Sequence, residues 1–279
     1  MQARNRDQVR VLDVSHHQGA IDWRKVADAS IDGQPIRGVF IKATEGTTLV
    51  DRMLQANAAN AVAAGLAAGF YHYAHPERND PTIEARHFAG KVKSLGAVLP
   101  HVLDVEGSAA KLGRAELTGW CLKWLAEVER LSGHPVMLYS GASFARTYFD
   151  NRLAGYPLWI AHYGVEQPLS NPVWERWTVF QYSDKGRVPG ISGYVDLNMM
   201  ERGCFEKLIA RKVKPAAPSP PKEQQVSEEL PATIVVRGSI ELDGWLKEGR
   251  VVGRISELLD ALEIKYTWDN DSKKLYIHG

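Results

Sequence analysis

From Val9 to Met200 the chain alternates short apolar runs with longer stretches whose apolar positions recur three and four residues apart. The runs read as strands and the stretches as amphipathic helices. Val9 to Ser15 (VRVLDVS) is the first strand, and Asp22 caps a short helix through Trp23, Val26 and Ala29. GVFIKATEG (Gly38–Gly46) is the second strand, followed by an Ala-rich helix over about 51–66 and then the strand AGFYHYAHP. Asp80-Pro81 opens a further helix, with Asp at the cap and Pro at the first helical position. After HVLDVEG (His101–Gly107), a helix from about Arg114 to Leu131 carries Leu117, Trp120, Cys121, Trp124, Val128 and Leu131 on one stripe. That stripe assigns both tryptophans to core packing rather than to a sugar platform. Gly133 and Pro135 stop the helix, and VMLYSG is the next strand, with a short helix after it holding Phe144 and Tyr148.

The alternation then changes. PLWIAHYG, WTVFQYS and YVDLNMM follow one another with turns between them, and Phe205–Lys212 reads as a closing helix. Five strand–helix units followed by three strands predict an α/β barrel that starts as β/α and finishes as β. KVKPAAPSPPKEQQVSEELP is rich in Pro, Ala and charge and reads as a semi-extended linker. Beyond it, ATIVVRG, IELDGWLKEG, a helix over RISELLDAL and a hairpin around Asp269–Lys273 predict a small α+β domain. The expected organisation is therefore a barrel over 1–212, a linker over 213–231 and a C-terminal domain over 232–279.

Within that pattern HVLDVEG stands out. Val102, Leu103 and Val105 mark a buried strand, yet Asp104 and Glu106 interrupt it two residues apart. Such positions share one face of a strand, roughly 6–7 Å apart along the backbone. Burial and mutual repulsion raise the pKa of one carboxyl while its partner stays ionised. An acid beside a carboxylate is what glycoside hydrolysis needs; two acids held by basic or backbone donors is the bland alternative. The other strands also finish on polar or aromatic residues: Asp13, Lys42, Tyr71 and Tyr73, Tyr139, Trp159 and His162, Gln181, and Asp196. In a β/α barrel the C-terminal strand ends converge on one face, where the active site sits.

Composition narrows the function classes. With 279 residues, 44% hydrophobic, 24% charged and a formal net charge of +1, the chain is of ordinary globular type and has no electrostatic case for nucleic acid. No apolar stretch is long enough to insert in a membrane. The polar start MQARNRDQVRVLDVSHHQG carries no Sec-type signal pattern. Cys121 and Cys204 lie far apart without CxxC spacing, so at most one bond could join them.

DVSHHQGAIDW, FIKATEG, GFYHYAHP, LDVEG, LYSG, LWIAHY, QYSDKG and VDLN occur in the order seen in glycoside hydrolase family 25. Over about Arg10 to Ile209 the chain resembles these Chalaropsis-type lysozymes, which are common among phage endolysins. The resemblance implies a flattened TIM-like barrel of five β/α units plus three β-strands, and cleavage of the β-1,4 bond between N-acetylmuramic acid and N-acetylglucosamine in bacterial peptidoglycan. Carried over by position, Glu106 is the general acid, Asp104 its partner, and Asp13 and Asp196 complete the acidic cluster. Tyr71, Tyr139, Trp159 and Gln181 line the sugar groove on the same basis. No cofactor or metal is implied, and an endolysin would be made in the host cytoplasm and act on the wall after release. GRVVGRISELLDALEIKYTWDNDSKKLYI resembles the small repeat module named after the N-terminal domain of copper amine oxidase. In a lytic enzyme that tail suggests wall binding, with Trp245, Tyr266 and Trp268 as sugar-contacting aromatics; a structural or dimerising role is the alternative.

Three rivals carry different chemistry. A metal-dependent peptidoglycan amidase or deacetylase would draw on His16, His17, His72, His75, His101 and His162. No HExxH or Cys/His cluster supports it, and His72 and His75, three apart on a predicted strand, should face opposite sides. A non-enzymatic carbohydrate-binding barrel would not need the acid pair. A chitinase-like glycosidase is nearer, but FIKATEG and VDLN favour the muramidase.

Overall fold

Strand residues that alternate in sequence divide here between two apolar layers, one inside a ring of strands and one outside it. The computed structural model describes residues 1–213 and, beyond them, the backbone of five strands. The ring elements in chain order are β1 (Val9–Val14), α1 (Trp23–Asp28), β2 (Ser30–Ile31), β3 (Gln34–Glu45), β4 (Leu49–Val50), α2 (Leu54–Ala63), β5 (Ala67–Tyr73) and α3 (Pro81–Val92). They continue as β6 (His101–Asp104), α4 (Arg114–Ser132), β7 (Val136–Gly141), α5 (Ala142–Tyr148), β8 (Leu158–Ala161), β9 (Val179–Gly186), β10 (Val195–Met200) and α6 (Arg202–Val213).

β1, β3, β5, β6, β7, β8 and β9 are successively parallel, and β10 closes the ring by running antiparallel to both β9 and β1. The result is an irregular eight-strand mixed barrel, with β2 and β4 as short hairpin partners of β3. The five β/α units and three final strands agree with the sequence pattern. Asp80 caps α3 by accepting from Thr82 N and Ile83 N, and Gly133, at φ 63°, ends α4 in the left-handed region. Trp120 and Trp124 are buried between barrel and helices, as the stripe requires. Both cysteines are free, and Cys121 is buried.

Three expectations change in detail. Asp196 stands at the N-terminal end of its strand and reaches the common face because β10 is reversed. β6 stops at Asp104, so Glu106 lies just beyond the ladder. β5 stops at Tyr73, leaving His75 off the strand.

The chain divides into two units, Met1–Lys214 and Pro215–Gly279. In the second, β11 (Leu230–Val236), β12 (Ile240–Lys247) and β13 (Arg250–Gly253) form an antiparallel sheet, and β14 (Tyr266–Asp269) pairs with β15 (Lys274–Ile277). The expected linker runs into β11 at its end, since Leu230 and Pro231 pair with β12; its residues 214–229, the helix over RISELLDAL and the turn between β14 and β15 lie outside the described residues.

Inside the ring Val11, Phe40, Val102, Met137, Val179 and Met200 pack together beneath the polar residues. Phe40 lies against Trp159 with ring centroids 4.5 Å apart. It reaches across because its neighbour on β5 is Gly69, where an added Cβ would fall 2.7 Å from the Phe40 ring and 2.9 Å from Leu99. Gly69→Ala should therefore overpack the barrel floor and lower stability by about 1–3 kcal/mol. Urea unfolding of the two proteins measures the difference.

Candidate active site

The inner-face frame of each strand continues upward into polar residues. Val9 and Val11 lead to Asp13, Phe40 to Lys42, Gly69 to Tyr71, Val102 to Asp104, Met137 to Tyr139, and Val179 to Gln181. All eight residues singled out in the sequence line one cavity of about 230 Å³: Asp13, Tyr71, Asp104, Glu106, Tyr139, Trp159, Gln181 and Asp196. Ser15, His17, Lys42, Tyr73 and Tyr163 complete the lining. Tyr163 was legible as the next inward position after Trp159 and Ala161, although it lies beyond the end of β8.

Asp13 is held by two amides. Gln181 Nε2 donates to its Oδ2 at 2.9 Å and Asn198 Nδ2 at 2.7 Å. Each amide is oriented from behind: Tyr139 and Tyr163 hydroxyls donate to Gln181 Oε1, and Trp159 Nε1 donates to Asn198 Oδ1. Asn198 was not singled out in the sequence; its signal was the inward period shared with Asp196 and Met200. Asp196 pairs across the β1–β10 ladder with Asp13. Burial, reinforced by the facing Asp196, pushes the Asp13 carboxyl well above its usual range, and burial also raises that of Asp196.

Asp104 is 7% exposed, and its Oδ1 has no hydrogen-bond partner. Burial first, and then the charge of Glu106, pushes its pKa well up, with Lys42 opposing. Glu106 is also raised by burial, opposed by Lys42 and reinforced by Asp196.

The backbone after β6 stays extended at Glu106, with φ −159° and ψ −172°, so the alternation persists past the strand. Val105 turns into the outer core, while its N–H donates to Tyr139 O and its carbonyl accepts from Ser140 Oγ. Gly107 then reverses the chain at φ 57°, where a Cβ would lie 3.2 Å from the Tyr73 hydroxyl oxygen. A larger cavity of about 510 Å³ continues from Glu106, Tyr139 and Tyr163 toward Phe144, His162 and Leu169.

Most of the histidines have other tasks. His72 is buried between Thr44 and Glu84, at 2.7 Å from each, and burial lowers its pKa. Only the backbone N–H of His75 reaches Glu84; its ring turns away from that of His72, toward Glu45 and Glu77. His16 pairs with Asp51 at 2.7 Å. His101, at the other end of β6, is pushed down to about 3 by burial beside His134. Among the described residues no group of three or more His, Cys, Asp or Glu side chains is placed to hold a metal ion.

Residues 12–191 match the family model for glycosyl hydrolases family 25. The protein YegX of Escherichia coli O157:H7 is 39% identical over 71% of this chain and 71% of its own length. Lysozyme M1 of Streptomyces globisporus is 35% identical over 72% of this chain and 70% of its own. Among solved structures, the bacterial lysozyme from Streptomyces coelicolor superposes with a TM-score of 0.66 at 34% identity, covering 74% of this chain and 97% of that one. The catalytic domain of endolysin ply40 from bacteriophage P40 of Listeria monocytogenes gives 0.59 at 27% identity, covering 74% and 98%.

The raised Asp104 carboxyl has a thermodynamic consequence. Between its ordinary value near 3.8 and its folded value, the native state holds more protons than the unfolded chain, so stability falls as pH rises through that window. Asp104→Asn removes the ionisable group and should be the more stable protein at neutral pH. Melting curves of both proteins should diverge as pH rises above about 4.

Proposed function

The chain belongs to glycoside hydrolase family 25 and is a lysozyme, an N-acetylmuramidase acting on peptidoglycan, and from that premise we propose how its carboxyl cluster performs the cleavage. Glu106 is the general acid. Burial keeps its proton on at pH values where an exposed glutamate has lost it, and that proton goes to the glycosidic oxygen as the bond to the anomeric carbon breaks. The leaving sugar occupies the larger cavity, on whose wall Glu106 stands.

Asp104 is the partner. Its buried, unpartnered Oδ1 is suited to accept one N–H bond, which the 2-acetamido group of the bound sugar supplies. With that group oriented, its carbonyl oxygen attacks the anomeric carbon as the bond to the leaving oxygen breaks, and Asp104, ionised in this step, stabilises the positive charge that develops on the amide nitrogen. Glu106, now a carboxylate, removes a proton from water as water opens the cyclic intermediate, giving retention. Asp13 and Asp196 stabilise the positive charge at the sugar ring, and Tyr71, Tyr139, Trp159 and Gln181 line the glycone side. The observation that carries this reading is one cavity holding Asp104 and Glu106, both with pKa values raised by burial.

The likeness to a phage endolysin domain supports a lytic role, with the enzyme made in the host cytoplasm and reaching the wall after release. On its sequence pattern, the C-terminal unit is assigned to wall attachment.

Glu106→Gln should fold normally and lose about 10²–10⁴-fold in rate on purified peptidoglycan, read as new reducing ends. Wild-type products should end in muramic acid, with no new free amines and no loss of rate in EDTA. Near-normal turnover by a folded Glu106→Gln protein defeats the assignment. Cells expressing the wild type should stay intact until the membrane is permeabilised; spontaneous lysis would point to an exported enzyme instead.

A further inference from the structure

Lys42 and Glu45 are three apart on β3 and in a regular strand would face opposite sides. The β3–β5 register shifts between Lys42 and Thr44, a bulge that turns both Ala43 and Thr44 outward. Glu45 is thereby returned to the face of Lys42, and Lys42 Nζ donates to Glu45 Oε2 at 2.7 Å. The contacts continue. Glu45 Oε1 meets His75 Nε2 at 3.0 Å, His75 Nδ1 lies 3.4 Å from Glu77 Oε1, and Ser108 Oγ donates to that same oxygen at 2.8 Å. Ser108 sits in the turn that begins at Gly107, two residues after Glu106.

Lys42 is the only lysine or arginine lining the catalytic cavity among the described residues. Its ammonium lies 5.1 Å from the centroid of the Tyr73 ring, and its side chain is 12% exposed. The groups around it are Glu45 on its own strand, Tyr73 on β5, Asp104 and Glu106 at the end of β6, and Asp13, Asp196 and His17 across the cavity. Its charge opposes the effect of burial on both Asp104 and Glu106. Hydrogen bonds from Lys42 and His75 hold Glu45 below the usual carboxylate range against its own burial, so the anchoring end of the chain stays anionic.

We propose that Lys42 is a positioning cation for the cleavage, clamped through Glu45, His75, Glu77 and Ser108 to the turn that carries Glu106, and that this clamp sets the pH range in which the enzyme works. The same chain of contacts fixes the ammonium relative to the carboxyl pair and fixes the turn relative to the ammonium. The inference rests on the reading of Glu106 as proton donor.

The test is the pH profile of kcat/KM on purified peptidoglycan for Lys42→Met, Lys42→Arg and Ser108→Ala. Lys42→Met removes the charge that opposes the burial of Asp104 and Glu106, so it should move both limbs of the bell alkaline, by up to the roughly 1–3 units that a nearby opposite charge is worth. Lys42→Arg keeps the charge and should restore the wild-type limbs. Ser108→Ala releases the far end of the clamp and should move the limbs alkaline too, less far than Lys42→Met, with KM unchanged. A folded Lys42→Met protein with the wild-type profile overturns the proposal, as does Lys42→Arg shifting as far as Lys42→Met. If Lys42→Met does not fold, the Ser108→Ala profile decides: wild-type limbs overturn the proposal and limbs moved alkaline support it. Glu106→Gln, run alongside, separates the two readings, because its retention of activity would defeat the proton-donor assignment itself.

Discussion

β10 runs against both of its neighbours, and Asp196 near its start lies directly across the ladder from Asp13 on β1. A parallel strand in this position would have presented its other end at the catalytic face. The reversed strand also brings Asn198 to Asp13 and to Trp159, so the seam of the barrel and one wall of the site are the same structure. Displacing β10 by one residue would turn Asp196 and Asn198 outward and leave Asp13 without one of its two amide donors. The hydrophobic packing below sets that register, because Met200 and Val11 must face inward.

The acid cluster opposes folding and serves chemistry. Four carboxyls line a small cavity, and burial raises the pKa of each. Buried charges of like sign cost stability, and stability yields to function at such sites. Two amides hold Asp13, one ammonium faces the Asp104–Glu106 pair, and Asp104 retains an unpartnered oxygen. An oxygen left without a partner inside the protein is available to a substrate that brings its own donor. The phenols of Tyr139 and Tyr163, by orienting Gln181, connect this acidic half of the cavity to the larger space beside Glu106.

Much of this was legible in the chain. Alternation of apolar and polar positions located the barrel strands, and the in-frame extension of Val9 and Val11 to Asp13, or of Val102 to Asp104 and Glu106, placed the acids on the inner face. The five β/α units followed from helical periodicity and caps such as Asp80-Pro81. These features are local: a pleat has period two and a helix period 3.6 whatever surrounds them.

Tertiary structure decided what depends on a neighbour. The direction of β10 is a property of its two partner strands, so Asp196 read as a strand's last polar residue when it is near the first. The bulge beside Lys42 arises from pairing with β5, and without it a period-two count sets Lys42 and Glu45 on opposite faces. Glu84 of α3 likewise takes both the His72 ring and the backbone N–H of His75, because β5 ends between them, while the His75 ring goes to Glu45. The sequence determined which residues point inward along each strand, because backbone geometry alone imposes that period. Which of them meet, and which charge faces which, was settled only when the ring closed and the register between strands was set.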